Sequence, residues 1–260
     1  MNRLIKNTLK NALRRLNIGI TQYSTLEQLR ESSATARDFN LIQRLEPEVS
    51  IELLKYFPLS KSQLRQDLFA ISHHNFKKNG YYVEFGATNG VDLSNTYFLE
   101  KHFGWEGILA EPGTVWHNDL RRNRKCNIET RCVWKDSASI LTFNETTTAE
   151  FSTINKYTNL DSNSDIRKSG KKYNVETISL NDLLEKFDSP GRIDYLSIDT
   201  EGSEYEILSE LNFSKYTFGV ITCEHNYTDN RGKIYALLSR NGYKRVWEDI
   251  SLFDDWYVLE

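Results

Sequence analysis

Tyr81-Tyr82-Val83-Glu84-Phe85-Gly86-Ala87-Thr88-Asn89-Gly90 reads as a strand ending in a tight turn, and the chain running on to Phe103 reads as the helix that follows. Tyr82, Val83 and Phe85 are the β-branched and aromatic residues that a buried strand favours. Small residues and two glycines then let the backbone turn sharply. Asp92 or Ser94 can cap the helix, in which Leu93, Tyr97, Phe98 and Lys101 keep helical spacing. Strand, glycine turn and helix in that order make the first βα unit of a nucleotide-binding α/β domain.

The ligand is narrowed by charge. A dinucleotide site wants Gly-x-Gly-x-x-Gly, whose amides cradle a pyrophosphate at the helix N-terminus. Here the spacing is Gly86-x-x-x-Gly90, and a carboxylate, Glu84, stands just before the turn. That charge opposes a pyrophosphate and suits an ammonium group. S-adenosylmethionine carries an amino-acid head and a sulfonium and has no phosphate. A second acid, Glu111, ends the next apparent strand, Gly107 to Pro112. An acid there can accept both hydroxyls of a ribose. The pair favours the sulfonium cofactor; a plain βα turn with solvated acids is the bland alternative.

The 260 residues suffice for one large α/β domain with an extension, or for two small domains. With 33 basic and 36 acidic residues the formal charge is -3, which gives no global case for nucleic acid. Charged residues at 27% and hydrophobic residues at 39% are an ordinary soluble composition. No run has the apolar length of a membrane span. Cys126, Cys132 and Cys223 lack Cys-x-x-Cys spacing, so neither a disulfide framework nor a zinc site is indicated, and a reduced, cytoplasmic setting is expected. Three glycosylation-type sequons begin at Asn144, Asn212 and Asn226; with no secretory leader before them they read as chance.

Residues 1–59 are expected to form a helical extension and residues 60–260 the main domain. Met1 to Ile20 reads as a basic amphipathic helix that packs on its own domain or on a second subunit, a homodimer contact. Touching a membrane surface is the alternative. Helices are expected over Thr25 to Arg44 and Pro47 to Tyr56. A third, Ser60 to Lys78, leads directly into the Tyr81 strand and puts Gln63, Gln66 and Asp67 at the lip of the cofactor pocket. Adjacent His73 and His74 face different ways on a helix, which speaks against a joint role. Gly113 to Arg124 suits a helix and Ile128 to Trp134 a third strand, with Trp134 either stacking on an adenine or anchoring the core. Ile140 to Phe143 resembles a short extra strand.

Asn144 to Lys172 is rich in Thr, Ser, Asn and Lys. A long polar connection inside a compact domain reads as a functional lid or as disorder, and its place beyond the cofactor strands suggests substrate covering. Tyr173 to Ile178 is strand-like, and Ser179 caps a helix to Phe187. The strand from Ile193 ends at Asp199, followed by Glu201, Glu204 and Glu206. Acids so crowded are costly unless something cationic compensates: a metal, a sulfonium or a basic substrate. The next strand, Phe218 to Cys223, ends in Glu224-His225-Asn226. Ligands sit beyond the carboxyl ends of parallel strands, so these residues are expected to face the crevice of Gly86–Gly90 and Glu111. His225 can act as general base, or can join Asp199 and Glu224 in holding a divalent cation such as Mg2+; a structural loop is the alternative. A helix over Asp229 to Asn241 and paired strands, Tyr243 to Glu248 and Leu252 to Leu259, finish the chain.

Ser62-Gln63-x-x-Gln66-Asp67, Val83-Glu84-Phe85-Gly86-Ala87, Ser94-Asn95-Thr96, Trp105 to Pro112 and Ile198-Asp199-Thr200-Glu201-Gly202-Ser203-Glu204 resemble the FkbM-type methyltransferases. The resemblance runs from about Ser60 to the C-terminus. It implies a class I methyltransferase fold, Rossmann-like, with a mostly parallel seven-stranded sheet and one antiparallel strand. It also implies S-adenosylmethionine as donor and a hydroxyl acceptor on a sugar, glycan or natural product. Carried over by position, Glu84, Gly86, Ala87, Asn89 and Gly90 surround the methionine part, with Gln66 and Asn95 in the same cofactor set. Glu111 and Pro112 take the ribose and Val133-Trp134 lie near the adenine. Asp199 and Glu201 lie at the methyl-transfer end with His225. Related O-methyltransferases hold magnesium with acids at these strand ends, but Glu224-His225-Asn226 departs from their Asp-Asp or Asp-Asn pair. Two rivals stand beside this reading: a nicotinamide-dependent oxidoreductase and a non-catalytic cofactor-binding scaffold.

Overall fold

The computed structural model describes residues 23–146, 148, 152–158 and 164–260. The basic segment expected over residues 1–20 lies outside them. The chain divides after Arg44 into two compact units. In the first, the described residues form one long helix, α1 (Tyr23–Gln43). No helix among the described residues is long and apolar enough to cross a membrane.

The second unit, Leu45–Glu260, starts with α2 (Pro47–Leu54) and α3 (Gln66–His73). The chain then alternates: β1 (Tyr81–Phe85), α4 (Tyr97–Phe103), β2 (Glu106–Ala110), α5 (His117–Asn123) and β3 (Asn127–Glu129). An insert follows, made of β4 (Cys132–Trp134), β5 (Ile140–Glu145), β6 (Thr153–Ile154), the short helix α6 (Ser164–Arg167) and β7 (Lys171–Ser179). The main fold resumes with α7 (Leu180–Lys186), β8 (Arg192–Ile198), α8 (Glu204–Ser209), β9 (Thr217–Glu224), α9 (Asn230–Arg240), β10 (Tyr243–Val246), α10 (Glu248–Ser251) and β11 (Asp254–Leu259).

The main sheet has seven strands in the order β10-β11-β9-β8-β1-β2-β3. β11 runs antiparallel to both neighbours, and the remaining pairs are parallel. The order reverses around β1 and β8, which is where an open α/β sheet opens a crevice. The strands are apolar because helices cover both faces. Val83, Phe85, Ile108, Leu196, Ile198 and Ile221 are all at most 1% exposed and form one core with Phe218 and Tyr257.

The single third strand expected over Ile128 to Trp134 is two strands in two sheets. The Glu129 carboxylate accepts the backbone N–H of Thr130 and Arg131, at 3.1 and 3.0 Å, and turns the chain there. β3 stays in the main sheet, while β4 pairs with β7 in a second, four-stranded sheet ordered β4-β7-β5-β6. That sheet has its own core of Cys132, Trp134, Phe143, Ile154, Tyr157 and Val175. The expected helix over Ser60 to Lys78 is shorter, Gln66–His73. Buried Asp67 explains this: its carboxylate accepts from Ser60 Oγ at 2.7 Å and Lys61 N at 3.1 Å, which pulls the preceding residues out of helical register. Before α4 the N-cap residue is Thr96, and Ser94 rather than Asp92 serves the helix start, its Oγ accepting from Tyr97 N at 3.0 Å.

Candidate active site

A cavity of about 410 Å³ lies at the carboxyl ends of β1, β2, β8 and β9, with the second sheet as one wall. That size suits a ligand as large as an adenosyl cofactor. Gly86 sets its floor with φ +73°, and a Cβ there would collide with the carbonyl oxygen of Asp199. Only glycine permits β1 and β8 to end so close together.

Glu84 lines the cavity, yet its carboxylate is engaged within the chain. It accepts from Asn95 N at 2.7 Å, Ser94 Oγ at 3.0 Å and Thr96 Oγ1, and Arg124 lies 3.8 Å away. Burial raises its pKa and Arg124 opposes the rise. The buried Arg124 also donates to Gly90 O at 3.0 Å and Glu100 at 2.8 Å, so one guanidinium clamps the whole glycine turn. The acid expected to meet an ammonium is thus first an anchor for the start of α4. Asn95 is the open group. Its Nδ2 donates to Ser197 Oγ at 2.9 Å, whereas its buried Oδ1 has no hydrogen-bond partner among the described residues. A buried amide oxygen left so is costly unless a ligand donor meets it.

Three residues expected around the methionine part shape the turn instead, and none is among the cavity-lining side chains. Ala87 is buried; Asn89 Oδ1 accepts from Val91 N and Asp92 N, both at 2.9 Å; Gly90 takes φ +80°. Gln66, Pro112 and Val133 do line the cavity, as does Gln63. Asp67 and Trp134 do not. Trp134 packs into the insert's core, its ring 6.0 Å from that of Tyr157, because adjacent residues on a strand face opposite ways. Cys132 and Val133 form the wall on that side.

Glu111 bridges two turns, accepting from Thr88 N at 2.9 Å and Gly113 N at 2.7 Å. Burial pushes its carboxyl up to about 7 against the pull of those two N–H groups. Its remaining lone pairs face the cavity, where donors of a ribose diol would lower that value.

Asp199, Glu201 and Glu224 present carboxylate oxygens within 4.8 Å of one another. The Glu224 carboxyl is held well above the usual range by burial, then by Asp199, Glu201 and Glu204. It donates a hydrogen bond to Asp199, whose own carboxyl is raised by burial. Both carboxyls are thus raised, and the two side by side can share one proton. Across the sheet Asp254 faces Glu224 in register and is pushed up to about 8 by burial, accepting from Gln66 Nε2 at 2.9 Å.

The cation that this acidic strand end demands comes from the insert. Fully buried Arg167, on α6, donates to Glu201 at 2.7 Å, and Asn226 Nδ2 adds a bond at 3.2 Å. Thr153 Oγ1 reaches Glu201 O at 2.9 Å, and Asn144 Nδ2 reaches Arg167 O at 2.9 Å. Glu204 is absorbed locally, accepting from Thr200 N and Gly202 N, both at 3.0 Å. Asn226 stands at the cavity as expected from its strand-end position, whereas Arg167 and Phe253 carry no sequence signal that would have placed them here.

His225 departs from expectation. Glu224 and Asn226 line the cavity, and the ring between them points to the other side. Its Nδ1 accepts from Tyr227 N at 2.9 Å, which leaves the proton on Nε2, 3.7 Å from Asp255 Oδ1. Burial lowers its pKa, so the ring stays neutral. It therefore neither reaches an acceptor in the cavity nor joins Asp199 and Glu224 around an ion. Glu201 takes the third place among the clustered acids.

A sheet ordered β3-β2-β1-β8-β9-β11-β10, with β11 alone reversed, is the class I methyltransferase arrangement. The family model described as the Methyltransferase FkbM domain matches residues 84–245 of the 260, and the chain belongs to that family. No curated protein matches it significantly. Among solved structures it is similar to a precorrin-6Y C5,15-methyltransferase from Geobacter metallireducens, at 12% identity over 69% of this chain and 71% of that one, with a TM-score of 0.37. A TehB-like SAM-dependent methyltransferase from Corynebacterium glutamicum is similar at 8% identity over 87% and 100%, with a TM-score of 0.38. Likeness this distant adds nothing to what the sheet order and the family match carry.

Proposed function

We propose that this protein transfers a methyl group from S-adenosylmethionine to a hydroxyl oxygen of a sugar, glycan or natural product, with Asp199 as the proton acceptor. When bound, the cofactor supplies a methyl group already activated by its sulfonium. The chain's own residues then have to bind, align and remove one proton. On this reading Asn95 Oδ1 accepts from the amino-acid head, Glu111 from the ribose hydroxyls, and Cys132 and Val133 wall the adenine side, which their cavity positions support.

The observation that carries the reading is the Asp199–Glu224 pair at the cavity. A carboxylate whose pKa is raised is a stronger base than an ordinary one, and the adjoining Glu224 carboxyl can share the proton it takes up. His225 is not required, and Arg167 already supplies the positive charge beside Glu201. General-base removal is worth about 10²–10⁴-fold in rate. Asp199→Asn keeps the shape and is expected to lose turnover by that factor while binding S-adenosylmethionine nearly as before, measured by calorimetry and by release of S-adenosylhomocysteine. Full turnover in the variant removes Asp199 from the role. Cofactor binding without turnover on any acceptor favours the scaffold reading, and saturation by a dinucleotide alone favours the oxidoreductase.

A further inference from the structure

Asn226 and Tyr227 hold consecutive left-handed positions, φ +43° and +56°, shortly after β9. Asparagine accepts that region, whereas tyrosine enters it only with strain. Such a turn persists only where its surroundings over-determine it. Here they do. His225 O accepts from Thr228 N and Thr228 Oγ1, both at 2.8 Å, and Phe253 O accepts from His225 N and Asn226 N, at 2.8 and 3.2 Å. The His225 ring adds the remaining hold, its Nδ1 accepting from Tyr227 N at 2.9 Å. The ring is backed in turn by Asp255, 3.7 Å from Nε2, which Arg231 and Arg245 hold at 2.7 and 3.1 Å.

What the turn aims is the Asn226 side chain. It lines the cavity beside Glu224, and its Nδ2 donates to Glu201 Oε2 at 3.2 Å. Glu201, paired with Arg167, can only accept, so the bond settles which end of the amide faces it. Asn226 Oδ1 is left with no hydrogen bond among the described residues. Being an acceptor, it is satisfied by a hydroxyl and left unpaired by an ether oxygen. Position selects whose hydroxyl. The residues proposed for the cofactor, Asn95 and Glu111, follow β1 and β2, whereas Asn226 follows β9, two strands from β1.

We infer that Asn226 reads the acceptor, its Oδ1 accepting from a second hydroxyl while Asp199 takes the proton of the first, and that His225 is a positioning residue acting through Asn226. The inference rests on the hydroxyl-acceptor reading above and narrows it: the acceptor is a polyol such as a sugar ring, and a compound with a single hydroxyl fits poorly. It also gives the histidine that turns away from the cavity a use.

The test takes the full chain saturated with S-adenosylhomocysteine, with methyl β-D-glucopyranoside as probe, followed by saturation-transfer NMR and calorimetry. Asn226→Gly removes the amide and keeps a residue at ease with positive φ; it is expected to weaken the probe about tenfold, the worth of one hydrogen bond, and to leave S-adenosylhomocysteine affinity unchanged. His225→Ala is expected to weaken the probe by the same factor, and the double variant by no more than either alone, because the two residues act as a unit. His225→Asn is expected to bind as the wild type does, since its side-chain oxygen can accept from the N–H two residues on. Should His225→Ala not fold, Asn226→Gly and His225→Asn still decide. A probe indifferent to Asn226→Gly, additive losses in the double variant, lost binding in His225→Asn, or a wild-type protein that ignores the probe overturns the inference. Methyl transfer from S-adenosylmethionine is scored separately: binding that depends on Asn226 without turnover counts against the hydroxyl-acceptor reading alone, and turnover with binding that ignores Asn226 counts against this inference alone.

Discussion

Replacing Arg167 with methionine removes the guanidinium that neutralises Glu201 while keeping an unbranched side chain of similar length. The pair is fully desolvated on the arginine side and its N–O separation is 2.7 Å. Taking away one partner of such a pair costs about 3–5 kcal/mol, because the remaining charge stays buried. Here the loss has a local outlet. The insert reaches the end of β8 through Arg167 and through Thr153 Oγ1, which bonds Glu201 O, so Glu201 regains solvent if the insert lifts away. Opening then becomes easier by roughly two to three orders of magnitude, at about 1.4 kcal/mol per tenfold. Hydrogen exchange followed by mass spectrometry is the assay. Peptides from β5, β6 and β7 are expected to lose protection by that factor, while β1 and β8 keep theirs. Arg167→Lys, which retains charge without the planar fork, is expected to fall between. Unchanged exchange in the insert, or an equal rise throughout the main sheet, refutes the anchoring role.

Stability should depend on pH through the buried carboxyls. Glu111 titrates near 7 in the folded chain against an ordinary 4.5, so the folded state holds its proton more tightly than the unfolded one. Stability from this group is complete below pH 4.5 and falls as pH rises through 7, by about 3 kcal/mol in all. Asp254, at about 8, acts in the same direction. The Tm of the cofactor-free protein is expected to drop between pH 5.5 and 8.5, and Glu111→Gln to flatten that drop; a flat wild-type profile counts against it. Gly86→Ala is expected to abolish cofactor binding, since its new Cβ collides with the Asp199 carbonyl and strains a positive φ; calorimetry decides. EDTA is expected to leave turnover intact because Arg167 already serves Glu201 as counter-charge, and a loss reversed by Mg2+ would restore the acids as ligands.

The parts of the site legible in the sequence were those written within a few neighbouring residues. Gly86 after a strand, Glu111 before Pro112 and Asp199 before Gly202 all stand at strand ends, and the sheet brings them together. Side-chain direction was not legible. A shift of one residue decides whether His225 or its neighbours face the cavity, and likewise Val133 or Trp134. Partners distant in sequence were hidden too. Glu84 looked like a free acid because Arg124, its counter-charge, arrives 40 residues later at the end of a helix. Arg167 sits in a polar stretch without periodicity, where nothing local distinguishes the buried arginine from the exposed Lys168.

The insert leaves and rejoins the main fold at adjoining points, because Cys132 to Trp134 at its start pair with Thr177 to Ser179 at its close. Its two ends are thus stitched together, and everything between them can change length without moving the seven-stranded sheet. The stretch between those paired ends can therefore be exchanged without moving the wall that Cys132 and Val133 form, provided each replacement brings a cation to meet Glu201.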